Sequence, residues 1–321
     1  MKKTLLAAFV CLLMSAFAPV WGFFAHELIN RMAVFTLPPG MIGFYKKNLR
    51  TITAMSVVPD KRRYAVKEEA PRHYLDIDHY GDSALQKIPR KWNAAVSLIG
   101  EDTLCAYGIL PWHVENMFFS LKEAFLTKDP AAIIRVSAEL GHYLADAHVP
   151  LHTTENYNGQ LTGQEGIHGF WESRLPEIYS KDYDLFVGPA TYLEKTQGAI
   201  WEVIQGSHAM VAQVLKEEKR LAAAFGEKKY SFETRGNSTV KVYSEEYSSA
   251  YHAALHGMVV KQMRASVKMI GDIWYTAWVD AGEPDLRKLI DYKPSAAELR
   301  RNREDLAHWR EEQRMMGDHD H

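Results

Sequence analysis

The chain has 321 residues, with 38 Lys and Arg against 40 Asp and Glu, a formal charge of −2. That length suits one large core or two modest ones. The mildly acidic balance gives no support to tight nonspecific duplex binding, which needs a basic surface. No Gly-rich phosphate loop follows a strand, so a nucleotide cofactor has little basis.

Residues 1–20 read as a separate segment. Lys2 and Lys3 precede an apolar run from Leu5 to Leu13, then the small-residue region Ser15 to Ala18. A basic start, a hydrophobic middle and small residues near a cleavage point are the marks of a secretory signal. The expectation is a signal peptide over 1–20, cleavage before Trp21, and an exported domain over 21–321, periplasmic or secreted. The apolar run is too short for a comfortable membrane span, and no later stretch has 18 consecutive apolar residues. Removing two lysines takes the formal charge to −4. Cys105 is then the only cysteine, so an intramolecular disulfide is impossible.

The apolar periodicity predicts helices in chain order. The first runs over Glu27–Val34, stopped by Pro38-Pro39, and the second over Met41–Leu49. Asn93–Tyr107 and Val114–Leu126 follow. Pro130 opens the strongest candidate, Ala131–His148, which Pro150 ends. Thr153–Gly166 is polar and reads as a loop. Helical patterns resume over Gly169–Leu175, Thr196–Phe225, Tyr247–Val279 and Ser295–Gln313. Tyr230–Tyr243 reads as a short hairpin turning at Arg235-Gly236-Asn237. The expected fold is all-α, a single helical domain with one small hairpin and a charged, disordered tail.

The chemistry concentrates in His142-Tyr-Leu-Ala-Asp146-Ala-His148-Val-Pro150-Leu-His152. On a helix, His142 and Asp146 face one side. Among apolar neighbours they are costly unless paired or metal-bound. Pro150 ends the helix and lets His152 return toward the same pocket. A second i,i+4 pair follows in His168-Gly-Phe-Trp-Glu172. A hydrogen-bonded imidazole and acid is the plainer reading of either pair alone. Both pairs with His152 favour zinc, which accepts imidazole nitrogen and carboxylate oxygen. Spacing does not separate a structural from a catalytic site. Upstream, Asp60, His26 and the run Arg72-His73-Tyr74-Leu75-Asp76-Ile77-Asp78 supply further candidates.

These positions, in order from 21 to 172, resemble the zinc-dependent phospholipase C and S1/P1 nuclease superfamily. The resemblance implies an all-helical fold of that type and three zinc ions per chain. Asp60, His73, His142 and Asp146 would hold the first ion, and His152, His168 and Glu172 the second. The third would take His26, Asp146 as a bridge, and the free α-amine and carbonyl of Trp21, which ties the metal site to signal cleavage. Asp146, Asp60 and Arg63 would be the catalytic residues, with Arg63 resembling an arginine that contacts substrate phosphate; a surface ion pair is an equal reading of it. Phe23, Phe24, Tyr157 and Phe170 are candidate substrate contacts, stacking on a base or covering glycerol-ester carbons, with core packing as good a reading of Phe170.

The sequence mixes the two branches. The short step from Trp21 to His26 is nuclease-like, whereas Glu172 and the compact loop before His168 are phospholipase-like. The resemblance therefore implies phospholipase C-like hydrolysis of a phospholipid or small phosphodiester by metal-activated hydroxide. The alternatives are an S1/P1-like single-strand nuclease or 3′-nucleotidase, and a noncatalytic exported domain stabilised by zinc. Oligomeric state is left open.

Overall fold

The structure, a computed structural model, describes residues 22–300 apart from 82, 236, 237 and 299. The expected signal segment, Trp21 and the tail over 301–321 lie outside the described residues, as does most of the last expected helix.

The described chain is all-α with one two-stranded antiparallel hairpin. α1 spans Gly22–Ala33, α2 Pro39–Lys47, α3 Leu49–Met55 and α4 Val58–Arg62. α5 (Ala84–Lys87), α6 (Trp92–Ile99) and α7 (Glu101–Tyr107) are short. α8 (Leu110–Thr127) and α9 (Pro130–Asp146) form the centre, and α10 (Ile167–Gly169) and α11 (Leu175–Tyr179) flank a π turn. α12 (Thr196–Phe225), β1 (Tyr230–Arg235), β2 (Ser238–Tyr243), α13 (Glu245–Ala254) and α14 (Met258–Asp280) complete it.

α9 is the hub. Asp129 caps it by accepting from the Ala132 amide at 3.1 Å, and Pro130 sits in its first turn, where no donor is missed. Every residue from Val136 to Asp146 is buried, because α1, α3, α8 and α14 all pack on it. The helix stops at Asp146, two residues short of the expected end. The chain tightens through a Val149 amide bond to the Asp146 carbonyl (2.9 Å), and Pro150 has no N–H to continue it.

Other boundaries differ from expectation for identifiable reasons. α1 begins at Gly22 rather than Glu27, because Gly22, Ala25, His26, Ile29, Asn30 and Ala33 make one buried helical stripe. The expected Asn93–Tyr107 helix is two, divided at Gly100 (φ +93°), a conformation no helix contains. The expected Tyr247–Val279 helix is likewise divided, at His256 and Gly257, both with positive φ. His252 and His256 therefore do not form a helical pair; His252 Nε2 meets the Tyr183 hydroxyl at 2.6 Å. The two strands match expectation, with Tyr230 opposite Tyr243, while Gly236 and Asn237 of the expected turn lie outside the described residues.

One close approach and one hydrogen bond set the frame for the site. A Cβ added at Gly141 would lie 2.1 Å from Asn30 Oδ1, so α1 can touch α9 only across a glycine. Asn30 also donates to the His26 carbonyl (3.1 Å), which fixes the turn of α1 opposite His142. Among the described residues, no helix is long and apolar enough to cross a membrane.

Candidate metal centre

Three groups of ligating side chains lie side by side: Asp60, His73 and His142; His26, His142 and Asp146; His152, His168 and Glu172. They come from α4, the turn after a 3-10 segment, α1, α9, the Pro150 turn and the α10–π junction. Sequence distance is large, so the helical packing above is what assembles them.

In the first group His73 Nδ1 is 3.1 Å from His142 Nε2 and 2.9 Å from Asp146 Oδ2. His142 Nε2 is 3.3 Å from the same Asp146 oxygen. Asp60 Oδ1 stands 3.7 Å from His73 Nδ1 and 3.6 Å from His142 Nε2. Donors about 2.0–2.1 Å from a tetrahedral zinc are themselves about 3.3 Å apart, so these five separations fit such a shell. His142 is fully buried and Asp146 1% exposed, so neither side chain reaches bulk solvent.

Asp146 faces two ways. Its Oδ2 meets His73 and His142, while Oδ1 lies 3.3 Å from His26 Nε2 and 3.8 Å from His152 Nδ1. The His26 ring stacks on His142 with centroids 4.0 Å apart. A carboxylate placed between two donor sets is the arrangement a bridging ligand needs. Trp21, the other expected member here, is outside the described residues.

The remaining group is a near-equilateral triangle. His152 Nε2, His168 Nε2 and Glu172 Oε2 are 2.9, 3.0 and 3.1 Å apart. Three atoms so spaced can all reach one cation at about 2 Å and leave a further coordination position open. Glu172 lies in a π turn, Phe170–Arg174, followed by Pro176. Pro176 lacks the N–H that the Glu172 carbonyl would receive in an α-helix, which favours the widened turn.

The groups are tied together by backbone. His152 Nδ1 donates to the His73 carbonyl at 2.6 Å, and the Leu75 amide donates to the His152 carbonyl at 2.9 Å. The first bond places the proton on Nδ1 and leaves Nε2 free for Glu172 and His168. Asp78 accepts from the Thr154 hydroxyl (2.5 Å) and the Glu155 amide (3.0 Å), which fixes the chain leaving His152.

The electrostatics follow from burial among opposite charges. Burial disfavours a charged His142, but Asp146 and Asp60 outweigh it and push its pKa up to about 9. His152 is likewise disfavoured by burial, and Asp146 and Glu172 push it up to about 9. Burial raises the Asp146 and Glu172 carboxyls, yet the facing imidazoles hold both well below their usual values. Asp76, buried beside Asp78 and Glu155, goes the other way, up to about 7.

The expected substrate contacts are spread differently. Tyr157 is half exposed, and its ring meets His168 edge-on at 5.7 Å. Phe24 is 43% exposed, and Phe23 lies under Lys61 Nζ at 5.3 Å. Arg63 is exposed, directly after the helix that carries Asp60. Phe170 is core: its ring is buried and stacked on Tyr243, Tyr247 and Tyr251, with no free face for a substrate. Trp171 is buried, and His148 turns from the site to bond the Leu144 carbonyl.

Sequence reasoning missed a buried acid, Glu69. It accepts from Arg62 Nε (2.7 Å), Arg72 (2.7 Å) and the Tyr143 hydroxyl. Its signal was present as the i,i+4 spacing from Glu69 to His73, hidden by the Pro71 that breaks an ordinary helix there.

The fold and site thus define an all-α protein with three His and carboxylate clusters capable of coordinating metal ions, up to three of them. No protein-family model matches the chain, and no curated protein matches it, so side-chain geometry carries the functional reading.

Proposed function

We propose that the protein is an exported zinc-dependent phosphoric ester hydrolase of the phospholipase C and S1/P1 nuclease superfamily, acting on a phospholipid or a related phosphodiester. The observation that carries this reading is Asp146, whose two oxygens serve separate donor sets beside a third, partly open set. A structural zinc site is closed and single, whereas clustered sites with room for an exchangeable ligand serve hydrolysis.

Asp60, His73, His142 and Asp146 would hold one ion. His152, His168 and Glu172 would hold another. His26 and Asp146, joined by the cleaved amino end at Trp21, would hold the third. When bound, the ions supply water of depressed pKa and positive charge for phosphoryl oxygens. The chain itself keeps that chemistry in register. Asp146 fixes the separation of two donor sets, and the His152–His73 bond fixes the third against them. Asp60, 15% exposed at its side chain, presents an acceptor oxygen at the solvent edge, where it can orient water. Arg63 offers a planar pair of donors to phosphate oxygens. Phe23 and Phe24 cover apolar substrate carbons.

A second reading, single-strand nuclease or 3′-nucleotidase, is favoured by Tyr157. Its half-exposed ring beside His168 is suited to stacking on a base. One set of assays separates the two. Protein processed at Trp21 is offered phosphatidylcholine, single-stranded DNA and a 3′-mononucleotide, before and after chelation and zinc return. Lipid hydrolysis lost on chelation and restored by zinc is expected. Hydrolysis of only the nucleotide substrates shifts the reading to the nuclease branch, and activity indifferent to chelation ends both.

A further inference from the structure

We infer that Glu69 is a positioning residue that sets which nitrogen of His73 faces the metal cluster. The inference rests on the metal reading above. Glu69 is a carboxylate with no solvent exposure that sits behind the site rather than in it.

His73 turns Nδ1 toward Asp60, His142 and Asp146. Its other nitrogen, Nε2, is buried without a hydrogen bond, and the carboxylate oxygen facing it is Glu69 Oε1, 3.6 Å away. With Nδ1 committed to a cation, the imidazole proton must sit on Nε2, and Glu69 Oε1 is the carboxylate oxygen beside it, a small shift from hydrogen-bond distance. Ligating histidines are generally oriented by such an acceptor behind the ring.

Glu69 is itself held from three directions. Arg62 follows Asp60 by two residues and reaches Glu69 through Nε at 2.7 Å; its Nη2 reaches Glu139 at 2.9 Å. Arg72 adjoins His73 and binds the same Glu69 oxygen as Arg62 Nε. Tyr143 adjoins His142 on α9, donates to Glu69, and lays its ring edgewise against His73 at 5.3 Å and His142 at 5.4 Å. Each partner is thus a near neighbour in sequence of one ligand: Arg62 of Asp60, Arg72 of His73, Tyr143 of His142. Glu69 ties together the three segments that deliver the Asp60, His73 and His142 donors.

Three measurements on the full-length processed protein test this. Zinc affinity is read by chelator competition in wild type, Glu69→Gln and Glu139→Gln. The His73 tautomer is read from 15N shifts of histidine-labelled wild type. Glu139 shares Arg62 but does not face His73, so its variant reports the cost of loosening the network alone. We expect Glu69→Gln to weaken one zinc by roughly 10–100-fold, the usual cost of losing an outer partner. Glu139→Gln should lower thermal stability and leave zinc affinity within about twofold of wild type, and His73 should carry its proton on Nε2. Equal zinc loss in both variants, or a proton on Nδ1 of zinc-loaded His73, overturns the inference. If Glu69→Gln does not fold, Tyr143→Phe, which removes one of the groups that hold Glu69, takes its place in the comparison: weakened zinc is expected, and wild-type affinity overturns the inference. A wild type that takes up no zinc overturns the metal reading itself, and this inference with it; a wild type that holds zinc beside an indifferent Glu69→Gln overturns the inference alone.

Discussion

Asp146 concentrates the account at the scale of single residues. Asp146→Asn keeps the shape but removes the charge that two donor sets share. Turnover should fall by a factor on the order of 10³ or more, since transition-state charge stabilisation alone is worth 10²–10³ per donor. Zinc content should fall by more than one ion. Retention of wild-type zinc and activity in this variant contradicts the bridging role. The imidazoles give a second expectation. His142 and His152 keep their protons up to about pH 9, and a protonated nitrogen cannot ligate. Below that pH a cation must displace protons, so apparent zinc affinity rises between about pH 6.5 and 9, and uptake at neutral pH acidifies a weak buffer. Affinity that stays flat across that window, in a competition titration, removes the argument.

At the scale of elements, the contact between α1 and α9 decides whether His26 meets Asp146. Gly141→Ala places a methyl on the Asn30 side chain, and the helices must separate. Overpacking of this kind costs about 1–3 kcal/mol. The melting temperature should drop, and the ion assigned to His26 should be lost before the ion held by His152, His168 and Glu172. Loss of the latter first, in a metal titration of the variant, would speak against this route of assembly. The same elements explain what the sequence could tell. His142 with Asp146 and His168 with Glu172 are local spacings, legible because a helical turn brings residues four apart together. Asp60, His73 and His26 stood out as candidates but were assigned to ions only by resemblance, since no local rule brings α4, the turn after Arg72 and α1 to α9. The helix breaks at Gly100 and at His256–Gly257 were overlooked because apolar periodicity runs across them; a single left-handed residue ends a helix without changing that pattern. Phe170 failed as a substrate contact because its fate depends on Tyr243, Tyr247 and Tyr251, more than seventy residues away.

For the whole molecule, the clusters join segments from His26 to Glu172, so cations would act as cross-links through the half of the chain that includes the hub helix α9. Each site filled at a hundred times its dissociation constant adds about 2.7 kcal/mol. Chelation should therefore lower the melting temperature by several degrees per ion in a calorimetric scan, with recovery on adding zinc; a melting curve indifferent to chelator contradicts this. The most direct test of the central claim is anomalous diffraction at the zinc edge from crystals of the processed protein. Three peaks are predicted: one amid Asp60, His73, His142 and Asp146; one at His152, His168 and Glu172; and one between His26 and Asp146 beside the amino end of Trp21. A map with no peak among these side chains contradicts the account.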